Sequence, residues 1–356
     1  MTDHLREPVR FGIFDWLDES GRPQGDTYAE RLRMLELADQ RGFYAYHLAE
    51  HHQTELSTVP SPNLFLSAVA QRTRRLRLGA LSYILPLYPP MRLLEEVCML
   101  DQLSGGRVEL GLSRGSTGEH VENDPEKARA MFNEALQVIL QGFLTGEIDF
   151  QGEYYTYEKQ FTRLTPVQKP YPPLWYPTSS ADSIAWVAAN GINTAFSVHL
   201  APDFDRVANF ARQYWAEYTR HASDEGKLNG NGVPKVGFSV HIHVGETDAK
   251  AQEQARPAFE LFQHNYMYRM IRRGQPERYE GRKHFDEELA ENRIVVGSPA
   301  TVRERLGDWL ERSGANYVIG CFAFGSLTGE QILSSVDLFA REVMPALART
   351  REVSTA

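Results

Sequence analysis

Eight strand-like segments alternating with helix-like segments predict an α/β chain of the (β/α)8 TIM-barrel class, with insertions. Three observations carry this expectation. The alternation repeats along the chain, the composition does not shift between residues 1 and 356, and no G-x-G-x-x-G follows any strand segment. The first two favour a closed parallel sheet; the third weighs against a doubly wound dinucleotide-binding sheet. The chain is therefore read as one barrel domain, 1–356, with insertions at about 147–161 and 272–292.

The elements follow in order. Val9 to Asp15 reads as a strand, because Val9, Phe11 and Ile13 alternate with Arg10, Gly12 and Phe14. Thr27 and Glu30 have capping-box spacing, Tyr28, Leu32, Leu35 and Ala38 share a helical face, and Gly42 supplies a C-cap. Phe43 to Ala49 is the second strand. Ser61-Pro62 opens a helix reaching about Thr73, with proline in the first turn, where its missing N–H costs nothing. Leu76 to Leu85 is the third strand, and Pro90 to Leu103 a helix stopped by Ser104-Gly105-Gly106. Arg107 to Leu112 is the fourth strand. Glu126 to about Thr145 is a helix with Phe132, Leu136, Ile139 and Phe143 on one stripe. Glu147 to Phe161 reads as an added hairpin. Leu174 to Pro177, Asn193 to Ser197 and Val236 to Val244 make strands five to seven, each followed by a helical pattern. After a charged insertion, Val302, Leu306 and Trp309 mark a helix, Asn316 to Ala323 the eighth strand, and Ile332, Val336, Phe339 and Val343 the last helix.

Hydrophobic residues make up 42% and charged residues 24%, ordinary values for a globular chain with a large core. A formal charge of −9 leaves no excess of Lys and Arg to neutralise nucleic acid or an anionic membrane. Cys98 and Cys321 stand far apart in apolar surroundings, so reduced thiols are expected rather than a disulfide scaffold. No secretory signal pattern and no apolar run of spanning length is visible; a cytoplasmic protein is the expectation.

In such barrels the reacting groups lie where strands end, at the C-terminal rim. Glu50-His51-His52 follows the second strand and can do acid/base work near neutral pH; its blander reading is a polar loop with hydrogen-bonded histidines. Ala80-Leu81-Ser82-Tyr83 ends the third strand, where backbone could run against a flat ligand or lie buried. Ser113-Arg114-Gly115-Ser116-Thr117-Gly118 follows the fourth. A guanidinium fork among small residues suits a phosphate, though a surface loop would look similar. Thr178-Ser179-Ser180-Ala181-Asp182-Ser183 leads into a helix whose free N–H groups attract anions, or is simply N-capped there. On the seventh strand Gly237, Ser239, His241 and His243 share the inward face. His241 is expected to be a core histidine, and His243, nearer the rim, a site candidate.

Taken together these residues resemble the luciferase-like, flavin-dependent monooxygenases over nearly the whole chain. The resemblance rests on Phe11-Gly-Ile-Phe14, Glu50-His51-His52, Leu100-Asp-Gln-Leu-Ser-Gly-Gly-Arg107, Gly111-Leu-Ser-Arg-Gly115, Gly297-Ser-Pro-Ala-Thr301 and Ser313-Gly-Ala-Asn316, in this order and spacing. It implies a luciferase-like barrel that binds FMN, with Arg114, Ser179, Ser180 and Ser183 around the phosphate and Ser113 nearby. It also implies a non-prolyl cis peptide at Leu81-Ser82 against the flavin ring, and His51 as the catalytic histidine beside Glu50. Reduced FMN would come from a separate reductase and, with dioxygen, oxygenate a small organic substrate. The stretch Arg272 to Asn292 would be the lid, and the apolar helices Pro62–Thr73 and Pro90–Leu103 would pair two copies in a homodimer. Ser113 stands where luciferase has a reactive cysteine and Ser179 where it has a carboxylate; these departures bear on light emission and aldehyde chemistry, not on flavin binding. Three other readings remain: a deazaflavin-dependent oxidoreductase, a metal-dependent hydrolase using Glu50, His51, His52, His241 and His243, and a non-catalytic flavin-binding subunit.

Overall fold

The computed structural model describes residues 7–115, 124–178, 180–230, 232–275 and 284–348. Eight parallel strands close a ring: β1 (Arg10–Asp15), β2 (Ala45–Leu48), β3 (Arg77–Ala80), β5 (Leu110–Ser113), β8 (Leu174–Trp175), β9 (Thr194–Ser197), β10 (Val236–Val244) and β12 (Tyr317–Cys321). Most neighbours share a ladder, such as Ile13 opposite Tyr46 and Phe238 opposite Val318. Two seams are thinner. The Leu78–Val108 bridge joins β3 to β5, and the Trp175–Asn193 bridge joins β8 to β9. At the first seam a Cβ on Gly79 would lie 1.8 Å from the Glu109 carbonyl oxygen, so only glycine allows that approach.

The helices cover the outside: α1 (Gln24–Arg41), α2 (Pro62–Arg72), α3 (Pro90–Ser104), α4 (Pro125–Thr145), α5 (Ala181–Ala189), α6 (Phe204–Arg220), α9 (Pro299–Ser313) and α10 (Gly329–Leu338). Alternation along β10 explains the packing. Phe238 faces outward, 5.3 Å between ring centres from Phe204 of α6 and 5.7 Å from Trp309 of α9. The odd-numbered residues of β10 face inward, where a Cβ on Gly237 would meet Tyr317.

Several expectations change in detail. The third strand is not continuous: a cis peptide at Leu81-Ser82 separates β3 from the short β4 (Tyr83–Ile84), which pairs with β5. Thr27 is no N-cap, because α1 starts at Gln24; its buried hydroxyl meets that of Ser20 at 3.0 Å instead. Gly42 does cap α1, at φ +82°. The hairpin forms as β6 (Glu147–Gln151) and β7 (Thr156–Phe161), antiparallel. The helical pattern expected after Val244 forms as α7 (Asp248–Arg272), 25 residues long and so about 38 Å. Its Asn265 donates to Asp18 at 2.9 Å and to the Glu19 carbonyl at 2.7 Å, and its Arg269 donates to the His52 carbonyl. Asp18 and His52 follow β1 and β2, so α7 lies across that part of the C-terminal rim. A six-residue helix α8 (Phe285–Ala290) and strand β11 (Val295–Gly297), paired with the end of β10, complete the excursion. Residues 276–283 of the expected lid lie outside the described residues. Cys98 and Cys321 are free and buried. Among the described residues no helix is long and apolar enough to cross a membrane.

Candidate active site

The N-terminal end of the barrel is filled. Glu109 on the wall accepts from Tyr44 at 2.6 Å and also from Arg77 and Trp175. Burial alone would raise its carboxyl pKa. Arg77, Lys235 and the Trp175 and Tyr44 hydrogen bonds outweigh that and hold it below the usual carboxylate range. Next to it His47 meets the Tyr317 hydroxyl at 2.8 Å. These side chains occupy the floor of the barrel.

A cavity of about 450 Å³ opens at the C-terminal rim, of a size suited to a small organic ligand. Its wall includes Glu50, His51, Leu81, Ser82, Ser113, Arg114, Ser180 and Ser183. One cavity thus unites the ends of β2, β3, β5 and β8. Ser179 and residues 116–118 lie outside the described residues.

The end beside β5 and β8 is built for an anion. Arg114 is half-buried, and among the described residues no carboxylate pairs with it. Burial pushes the adjacent Tyr176 phenol up, while the charges of Arg114 and Arg129 oppose that shift. Gly115 follows Arg114 at φ +81°, a conformation glycine adopts without strain. Opposite, Ser180 caps α5 by accepting from the Ser183 amide at 3.4 Å, and its hydroxyl donates to that of Ser183 at 2.8 Å. Helix N-terminal amides, two hydroxyls and an unpaired guanidinium therefore face one space.

The other end is aromatic. His51 stacks on Trp16 with ring centres 5.3 Å apart and planes at 27°. This places an imidazole in the cavity wall, able to donate or accept a proton there. Glu50, although it lines the cavity, is committed elsewhere. One oxygen accepts from the Ile84 amide at 2.8 Å, and the other from the Tyr88 hydroxyl at 2.8 Å and meets His52 Nε2 at 2.9 Å. Its hydrogen bonds tie the β3–β4 turn to the end of β2. His243 does not reach the cavity: it is buried, and its Nε2 meets Gln254 of α7 at 2.9 Å. Its inward-facing place on β10 lies beyond the cavity, where α7 covers it, so it drops out of the candidate site. The metal-site alternative needed these histidines gathered. Among the described residues no group of three or more His, Cys, Asp or Glu side chains could hold a metal ion.

Trp16, Tyr176 and Ser197 also line the cavity and were not anticipated. Each lies at or just beyond the end of a strand, so the rim rule applied to every strand, not only to polar clusters, would have found them.

The cavity at the barrel rim, cationic at one side and aromatic at the other, is suited to a small-molecule ligand. The family model for luciferase-like monooxygenases matches residues 9–317. The protein y4wF of Sinorhizobium fredii is 37% identical over 97% of this chain and 99% of its own length. The oxygenase component of the flavin-dependent trigonelline monooxygenase of Acinetobacter baylyi is 24% identical over 96% of this chain and 97% of its own. In fold, the chain matches the oxygenating constituent of 3,6-diketocamphane monooxygenase from Pseudomonas putida, solved with FMN. The TM-score is 0.80 at 16% identity, covering 97% of this chain and 100% of that one. The chain belongs to the luciferase-like monooxygenase family, and it is an enzyme of the monooxygenase class.

Proposed function

We propose that this chain is the oxygenase component of a two-component system, taking reduced FMN from a separate reductase and using dioxygen to oxygenate a small organic substrate. The observation that carries the reading is that one cavity unites the Arg114–Ser180–Ser183 anion end with His51. The residues fit the cofactor. Arg114, the α5 amides, Ser180 and Ser183 would hold the phosphate, and the Leu81-Ser82 backbone and Ser113 would lie along the isoalloxazine. Reduced flavin, when bound, supplies the electrons that activate dioxygen. The protein's own part is to orient, to shield and to handle a proton. His51, held by its stack on Trp16, donates or accepts that proton at the reacting end. The apolar wall of Phe14, Trp16 and Leu81 excludes water from it.

A homodimer belongs to the same reading. Leu64 of α2, 77% exposed, and Met99 and Leu103 of α3, 52% and 50% exposed, form an apolar strip on two packed helices. Light scattering at twice the chain mass checks it.

The cofactor is tested by titrating the protein with FMN, reduced FMN and the deazaflavin F420 under identical conditions. Tight binding of F420 with none of FMN would replace the oxygenase by a hydride-transfer enzyme. In turnover with supplied reduced FMN, His51→Ala is expected to lower product formed per oxygen consumed by about 100-fold, the usual scale of acid/base catalysis. Unchanged coupling would remove His51 from the chemistry.

A further inference from the structure

Behind the Trp16 wall lies a group of buried polar atoms that the proposed function leaves unused. His241 is 2% exposed and neither ring nitrogen has a hydrogen-bond partner. The Trp16 indole N–H and the Asn265 Oδ1 are likewise buried without one. Two of these side chains flank a single ring, and the third stands about one turn further along the helix that carries it. Phe262 of α7 stands 4.2 Å from the His241 ring and 6.2 Å from that of Trp16, and Asn265 lies three residues further along the same helix. Burying a polar group without a partner is costly, so this group of unpartnered atoms near one ring calls for an occupant that satisfies them. The region adjoins the cavity twice, through Trp16 and through Ser239, which shares the inward face of β10 with His241.

We infer that the space held by Phe262 is a substrate compartment, entered from the flavin cavity when Phe262 turns aside, and that it takes a small uncharged ring compound bearing a carbonyl or hydroxyl. This rests on the oxygenase reading for its meaning as a substrate site. The chemistry of the walls sets the class. Phe259 and Phe324 flank His241 edge-on, at 5.5 and 5.2 Å, and offer an apolar slot for a flat body. The unpartnered polar atoms are one indole donor, one amide acceptor and the His241 imidazole, which burial keeps neutral and which gives one donor and one acceptor; the buried His199 ring packs beside it at 5.5 Å. Arg31, whose charge reaches Asp18 next to Asn265, is already bound to Asp15 at 3.0 Å. Asp18, held by Asn265 and Gly325, further disfavours negative charge.

Calorimetric titration of the full chain with acetophenone and with ethylbenzene, which has nearly the same shape and no oxygen, reads the compartment without turnover. Acetophenone is expected to bind about tenfold more tightly, the worth of one good hydrogen bond to a buried group. His241→Phe should abolish that preference, and Trp16→Phe, which keeps a flat ring, should reduce it and serves if the first variant does not fold. Phe262→Ala, which vacates the slot, should tighten acetophenone binding. Equal binding of the two probes to the native chain would overturn the inference, as would a preference surviving both His241→Phe and Trp16→Phe. So would a crystal structure grown with acetophenone in which only ordered water bridges His241 and Asn265. FMN titration run in parallel separates the two ideas: loss of FMN binding with the probe preference intact sinks the oxygenase reading, and the reverse sinks the compartment.

Discussion

The two ends of the barrel carry similar side chains and use them in opposite ways. At the floor, Tyr44, Arg77 and Trp175 all bond to Glu109, and His47 bonds to Tyr317. At the rim, Arg114 and the α5 N-terminus offer donors that no carboxylate of the described residues takes up. Partnered polar groups inside a protein hold structure, whereas unmatched ones beside a cavity mark where something else must bind. Removing a floor group should therefore cost stability, and removing a rim group should cost affinity.

The largest effect is expected at the floor. Glu109→Ala strands Arg77, Trp175 and Tyr44 without their shared acceptor and should lower unfolding free energy by about 4 kcal/mol in urea titration. A loss under 1 kcal/mol would erase the distinction between the two ends. Next comes acid sensitivity. Burial, aided by Arg77 and Lys235 against the pull of Glu109, takes His47 from the usual 6.5 down to about 4. A depressed pKa means the unfolded chain binds the proton first, so the His47 contribution is complete above 6.5 and fades as pH falls toward 4. Over that window the loss is about 3 kcal/mol. His47→Gln keeps a partner for the Tyr317 hydroxyl and should flatten the stability curve between those pH values.

At the rim the readout changes. Arg114→Ala should weaken FMN binding by about 10–100-fold, the scale of a charge-assisted hydrogen bond. Riboflavin affinity and the melting temperature of the free protein should hold. Equal weakening of both flavins would detach Arg114 from the phosphate. The smallest effect belongs to Ser180→Ala, which mixes both behaviours: about 1 kcal/mol of stability from the lost α5 cap, and a few-fold weaker FMN binding.

Much of this was legible in the residues. Alternation in Val9–Asp15 and Val236–Val244, the Pro62 and Pro90 helix starts and the Gly42 and Gly105 ends placed most elements within a few positions, because each is decided locally. The cavity-lining parts of Arg114, Ser180 and His51 follow from the rim rule once the strands are known. What escaped depended on distant partners. The part taken by Glu50 is set by Ile84 and Tyr88, some 34 and 38 residues away. The burial of His243 is set by Gln254 on a helix whose course over the rim no periodicity encodes. Thr27 had the spacing of a cap and the helix began a turn earlier.

The seam between β3 and β5 has a mechanical consequence. A closed ring cannot open at one joint without shifting every stave, and at this joint Gly79 rests almost on the Glu109 backbone. A single methyl inserted there would act as a shim, widening the girth of the barrel and spreading the mouths of loops on its far side.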